Sequence, residues 1–517
     1  MVAESAFADS GMVCSVDPLA SAAGVAVMQR GGNAVDAAIA TSAVLTVTTQ
    51  HMCGLGGDLL ALISQDGRPP LALNSSGRAG SGADAERLRA DGHTSMPFTG
   101  DIRVVPVPGC VDGWLALHRR LGRLPLADIL QPAIDFADGG FPAAITLAGA
   151  VARFAQVEGM AQFGNPQPGD LVRRPGVARA LRAVVEQGRQ GFYLGEFGNG
   201  LLALGAGEYT EADLSLDQAT WVEPLSLRAF GKVLHTIPPN SQGYLTLAGS
   251  WIADHVGLPT DSRDPLWAHL TIEAARLAAF DRVEVLHEHA DGAALLDPAR
   301  LADRAASVDR EKAAVLGDSY RPGGTIHLAT TDSDRMGVSL IQSNAAGFGS
   351  MLVEPSTGIF LQNRGVGFSL EAGHPAEYGP RRRPPHTLAP ALVTDDAMRL
   401  DSVLGTMGGD TQPQILLQLL ARLLVSGEAA GSAMDASRWG LTNGGGFDTW
   451  DRRGQVKVVL EEGVPSSWAA DLTAKGHDVS MQPKGSGFGH AQLIRVQGDR
   501  LEGASDPRAL PGSAMGY

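Results

Sequence analysis

The segment Gly323-Gly-Thr-Ile-His-Leu-Ala-Thr-Thr-Asp332 sets a threonine directly behind a glycine pair and ahead of a β-prone run. A threonine hydroxyl is a weak nucleophile, and it becomes useful when a nearby amine can act as its general base. Cleavage just before Thr325 would expose such an amine on the nucleophile's own residue. A loop of small glycines leading into a strand is a suitable place for that cut. Taken alone, the same pattern is also that of an ordinary turn entering a strand. Other common chemical signatures are absent: there is no GxxxxGK[ST], HExxH, GxSxG or EF-hand pattern. Gly54-Leu-Gly-Gly-Asp58 lacks the GxGxxG order and follows a helical stretch, so it does not read as a dinucleotide loop. His287 and His289 are the one close pair among 13 histidines, and residues two apart do not share a helix face. No metal site is expected there.

Positioning such a threonine requires strands, and β-prone runs gather after Gly324. They are His327–Thr331, Met336–Ser343, Gly358–Gln362, Ala391–Val393 and Val456–Leu460, separated by loops rich in Gly and Asn. Helical spacing dominates the earlier part. Pro18–Arg30 ends at Gly31-Gly32, and Asn33 can cap a second, alanine-rich helix over Ala34–Val47. Leu59–Ser64 reads as a short buried strand. Cys110–Leu121 and Leu126–Ala137 read as helices, residues 140–230 as further helices and loops, Leu266–Ala290 as one long helical region and Pro413–Ser426 as a helix. A helix-rich part followed by a strand-rich part predicts α+β layers built from two chain halves.

Composition narrows the class. A chain of 517 residues with 44% hydrophobic and 19% charged residues can bury a large core and is not disordered. The net charge of −15 argues against a nucleic-acid partner, which requires a basic stripe. No window approaches 18 consecutive apolar residues, so no membrane span is expected. Cys14, Cys53 and Cys110 are too few and too far apart for a disulfide framework and read as buried thiols. The first nine residues carry two acids and no basic stretch, which predicts no secretory signal and a cytoplasmic protein.

Motifs along nearly the whole chain resemble the γ-glutamyltransferase family of N-terminal-nucleophile hydrolases, in a divergent branch. They include Gly31-Gly-Asn-Ala-Val-Asp-Ala-Ala38, Gly54-Leu-Gly-Gly57, Leu121-Gly-Arg-Leu-Pro125, Pro238-Pro-Asn-Ser-Gln-Gly243, the Thr325 segment, Met407-Gly-Gly409 and Ala504-Ser-Asp-Pro-Arg508. The resemblance implies a four-layer αββα sandwich. It implies self-cleavage between Gly324 and Thr325 into a large subunit, 1–324, and a small subunit, 325–517, which stay together as a heterodimer. A dimer of heterodimers is left open. Thr325 would be the nucleophile in both self-cleavage and turnover, and Ser343 a second hydroxyl that orients it. Gly408 and Gly409 would supply oxyanion-hole amides, which glycine backbones let approach closely. Amine, hydroxyl and backbone amides suffice for this chemistry, so no cofactor or metal is expected.

Several positions depart from the family's glutamyl-binding set. Gly367 stands where an acidic residue is usual, Arg364 where a Gln is usual, and His386-Thr387 where a Ser-Ser pair is usual. The amine-binding Asn falls at Ala345, with Asn344 adjacent, and Arg78 corresponds to the carboxylate-binding Arg. Losing a carboxylate and gaining a guanidinium favours an acyl group with an acid and no free amine. Arg78, Asn344, Arg364, His386 and Thr387 are therefore the expected substrate-binding residues. The expected activity is hydrolysis or acyl transfer of a γ-glutamyl or related carboxylate-bearing small amide. Oxamate-type or dicarboxylyl amides, and cleavage of an oxalyl-type side chain at a C–C bond, are the alternatives. A binding protein that has lost catalysis is the alternative class.

Overall fold

The computed structural model describes residues 5–320, 323–443 and 455–517. Its central strands are buried along their whole length: every residue of Asp58–Ser64, Ile326–Thr331 and Gly337–Ser343 is inside. That pattern requires cover on both faces of a sheet, and the layers supply it.

Two seven-stranded sheets, antiparallel throughout, face each other. The first runs in the order Ser513–Gly516, Met12–Ser15, Ile326–Thr331, Gly337–Ser343, Asp58–Ser64, Leu71–Ser75, Thr220–Val222. The second runs Ala6–Ala8, Arg500–Ser505, Ala491–Gln497, Leu400–Thr406, Ala391–Thr394, Lys232–Thr236, Leu225–Ala229. Both sheets mix strands from before and after residue 325.

Three apolar cores separate four layers. Cys14, Leu60, Leu62, Ile341, Leu392, Val403 and Ile494 fill the space between the sheets. Outside the first sheet lie the helices Pro18–Gln29, Ala34–Thr48, Cys110–Leu121, Leu126–Gly139 and Pro175–Gln187, with a core built around Val44, Leu45, Leu59 and Trp114. Outside the second lie Tyr244–Val256, Pro265–Ala279, Gln412–Leu424 and Ser466–Ala474, around Leu247, Trp267, Leu416 and Trp468. The architecture is αββα. Among the described residues no helix is long and apolar enough to cross a membrane.

The local signals explain most of these elements. Asn33 closes a capping box: its side chain accepts the amides of Val35 and Asp36, and Asp36 Oδ2 accepts the Asn33 amide at 3.1 Å. All fifteen residues of Ala34–Thr48 are buried, which alanine allows by letting neighbouring elements approach closely. One expectation is corrected. The region Leu266–Ala290 is not a single helix: Pro265–Ala279 ends there, and a short turn, Arg282–Val285, follows. Between them Asp281 is drawn to Arg300 (2.5 Å) and Arg304 (2.6 Å), while Arg282 turns inward to Asp410. Charge pairing overrides helical periodicity at that point.

Candidate active site

Ile326 pairs with Gln342 in the central hairpin of the first sheet, so Thr325 falls opposite Ser343. Their hydroxyls meet at 3.1 Å, and both residues are fully buried. Thr325 Oγ1 donates to the Gly324 carbonyl at 2.5 Å, and Ser343 Oγ donates to the same oxygen at 2.9 Å. Ser343 Oγ in turn accepts the Ala345 amide at 2.8 Å. Ala345 holds a φ of 75°, a left-handed conformation that a non-glycine residue adopts at a cost. It carries the chain away from the strand end into the loop that faces Gly324. Asn363 braces that loop, accepting the Ala346 amide at 3.0 Å and donating to Phe98 O at 3.0 Å.

Arg364 lies beside the hydroxyl pair. Its Nη2 is 3.3 Å from Ser343 Oγ and its Nη1 is 2.9 Å from Thr387 Oγ1. The residue is 1% exposed. Burial pulls the guanidinium down to about 10, against the attraction of Asp58 and Asp410, so it remains a cation at neutral pH.

The glycine pair Gly408-Gly409 follows the strand Leu400–Thr406, which packs across from Ile326–Thr331. The contact is close: a Cβ on Gly405 would lie 2.2 Å from the His327 ring. Gly408 and Gly409 have φ of 141° and 60°, conformations suited to glycine. Among the described residues neither amide donates a hydrogen bond to the protein. Gln242 fixes the turn by donating from one nitrogen to both Gly409 O and Thr387 O, each at 2.9 Å. Behind it Arg282 and Asp410 form a buried two-pronged ion pair at 2.6 and 2.8 Å. One hydrogen-bonded chain therefore runs from Thr325 through Ser343, Arg364 and Thr387 to Gln242 and Gly409. Such an assembly can activate a hydroxyl for addition to a carbonyl and hold backbone N–H groups for the developing oxyanion.

The gamma-glutamyltranspeptidase family model matches residues 20–517. The chain belongs to the gamma-glutamyltranspeptidase family. Membership makes it a hydrolase or acyltransferase. It is 34% identical to the oxamate amidohydrolase proenzyme of Klebsiella pneumoniae subsp. pneumoniae, over 98% of each chain. It is 33% identical to a glutathione hydrolase-like proenzyme of Bacillus subtilis, again over 98% of each. The crystal structure of cephalosporin acylase from Bacillus halodurans superposes with a TM-score of 0.91 at 31% identity, covering 99% of this chain and 97% of that one.

The other residues expected from the gamma-glutamyltranspeptidase pattern are spread around this centre. His386 sits behind it. Its Nε2 donates to Asp58 Oδ2 at 3.1 Å and its Nδ1 accepts the Leu388 amide at 3.3 Å, so both ring nitrogens are engaged. Burial lowers its pKa to about 4, which keeps the ring neutral. Asn344 points to the opposite side of the strand end from Ser343, into a small cavity with Thr46, Gln50 and Cys53. Arg78 is half-buried and touches Gln218 Oε1 at 3.4 Å, with Glu288 and Asp217 nearby. Gly367 lies against Pro385, whose carbonyl would be 2.5 Å from an added Cβ. Sequence reading assigned no role to Gln242, Asp58 or Asp410. Gln242 stands inside a quoted family motif, and a long polar side chain in such a motif is the signal that could have found it. Among the described residues no group of three or more His, Cys, Asp or Glu could hold a metal ion.

Proposed function

We propose that the chain is a precursor that cuts itself between Gly324 and Thr325, and that Thr325 is then the nucleophile of an amidase for small amides whose acyl part carries a carboxylate. The observation that carries this reading is the convergence of the Thr325 and Ser343 hydroxyls on Gly324 O, at 2.5 and 2.9 Å. In self-cleavage Thr325 Oγ adds to the Gly324 carbonyl carbon and loses its proton. The C–N bond then breaks and its nitrogen takes up a proton. Water hydrolyses the resulting ester, leaving a Gly324 carboxylate and a free amine and hydroxyl on Thr325. The products 1–324 and 325–517 would remain together, because both sheets interleave strands from the two pieces.

In turnover the Thr325 amine takes the hydroxyl proton as Oγ attacks the substrate amide carbon. The Gly408 and Gly409 amides donate to the oxyanion. The leaving amine departs with a proton, and water, or an acceptor amine, releases the acyl group from the ester. An acid-bearing acyl group is supported by the buried Arg364 cation beside the nucleophile and by glycine rather than a carboxylate at 367. Arg78 and Thr387 complete the proposed binding set. The relative named oxamate amidohydrolase supports a small dicarboxylic monoamide. A γ-glutamyl amide is the second reading, favoured by the relative named glutathione hydrolase-like.

Intact-mass measurement of the wild type beside Thr325→Ala tests the proposal. The expected outcome is two chains, 1–324 and 325–517, from the wild type and one chain from the variant. One uncut chain in both overturns it. Turnover of oxamate against a γ-glutamyl anilide then decides between the two substrate readings.

A further inference from the structure

Arg364 spends a guanidinium nitrogen on a hydroxyl that is itself in contact with Thr325, and this fixes more than the position of a charge. A serine hydroxyl has one hydrogen and two lone pairs. At Ser343 one lone pair faces the Ala345 amide, 2.8 Å away, and the other faces Arg364 Nη2, 3.3 Å away. Both partners are donors only. The single Ser343 hydrogen goes to Gly324 O at 2.9 Å, and the Thr325 hydroxyl lies alongside at 3.1 Å.

We infer that Arg364 is a positioning residue that acts through Ser343, holding the Ser343 hydroxyl as an obligatory hydrogen-bond donor toward the Gly324–Thr325 junction. The inference rests on the proposed role of Thr325 as nucleophile. Ser343 is then never the base that removes the Thr325 proton. Before the cut its hydrogen polarises the Gly324 carbonyl. After the cut it can donate to Thr325 Oγ and stabilise negative charge there as the proton passes to the α-amine. The guanidinium is held for this task from its other side, since Nη1 donates to Thr387 Oγ1 at 2.9 Å and Gln242 fixes the Thr387 backbone. A cation one hydroxyl away also favours the unprotonated amine and the ionised hydroxyl.

Self-cleavage separates this role from the binding of a substrate carboxylate, because the Gly324–Thr325 peptide bond brings no carboxylate to be bound. Precursor made by cell-free synthesis is followed by intact mass for wild type, Arg364→Gln, Ser343→Ala and the double variant. Loss of a hydrogen bond from a charged donor is expected to slow self-cleavage by about 10- to 100-fold in Arg364→Gln. The double variant is expected to be no slower than Ser343→Ala, because Arg364 acts through that hydroxyl. In the fraction that does mature, the acidic limb of the pH profile for kcat/KM should move to higher pH in Arg364→Gln. Wild-type self-cleavage with only a raised KM overturns the inference. If Arg364→Gln does not fold, Thr387→Val keeps the charge and removes its second anchor. A slowing of about threefold or more is then expected, and a wild-type rate overturns the inference. Thr325→Ala runs alongside. If it is still cut, the nucleophile assignment fails, whereas an uncut Thr325→Ala beside a fully active Arg364→Gln removes Arg364 alone.

Discussion

At the residue scale, the site depends on where small side chains permit contact. Gly405 is an example outside the chemistry itself. It has no positive φ, and its requirement is steric: the His327 ring occupies the place of a side chain. His327 in turn holds Ser339 Oγ at 2.9 Å within the same hairpin that carries Thr325 and Ser343. Gly405→Ala should therefore push the two sheets apart near Thr325. Overpacking of this kind costs about 1–3 kcal/mol. A urea titration should show that loss, and self-cleavage should slow with it. A midpoint equal to wild type would mean that the ring can move aside freely.

At the scale of elements, the helix Ala34–Thr48 shows how the outer layer is anchored. Asn33 and Asp36 cap it reciprocally, and both reach beyond it. Asn33 Nδ2 donates to Leu121 O at 2.7 Å, and Asp36 accepts the Arg123 and Leu124 amides at 3.1 and 3.2 Å. The cap thus ties the first helical layer to the turn that follows Cys110–Leu121. Asn33→Ala removes the side-chain cap and the tie, with an expected loss of about 1–2 kcal/mol. Thermal denaturation should show a lower Tm, while any processing at Gly324–Thr325 should proceed as in the wild type. An unchanged Tm would show that burial alone holds this helix. The same logic explains the break after Ala279, where ion pairs at Asp281 and Arg282 decide the chain's direction.

At the scale of the whole molecule, burial of neutral histidines makes stability depend on pH. Burial lowers His51 and His327 to about 3 and His386 and His490 to about 4, from an ordinary value of 6.5. The unfolded chain binds protons at these rings over a range where the folded protein does not. Stability is therefore fully present above about pH 6.5 and is lost progressively as pH falls through the folded values. Urea midpoints measured from about pH 7 down to about pH 4.5 should decline steadily. A flat profile over that range would mean that the rings accept protons without unfolding.

The sequence by itself determined the nucleophile candidate, the cap at Asn33, the boundaries of most long helices and the family, because these follow from short-range pattern and from motifs kept in order. Asn33 announces its helix through residues three positions away, and Gly323-Gly-Thr325 is a local signal of the same kind. The resemblance set Ser343 beside Thr325, and the hairpin register that pairs Ile326 with Gln342 belongs to the structure. The tertiary structure alone decided the rest. Leu400–Thr406, which packs across from the Thr325 hairpin, and the C-terminal strands lack a distinctive local pattern: the first takes its place by pairing with Ala491–Gln497, and the others pair back to Ala6–Ala8 and Met12–Ser15. His386 has the residue type of a binding group, and only the fold places Asp58 against it. Arg364 reads in the sequence as a cation for a substrate carboxylate. Its bond to Ser343 exists because the turn Arg364–Gly367 folds back onto the end of the strand Gly337–Ser343 in a dry interior, where a donor's direction is set by every neighbour at once.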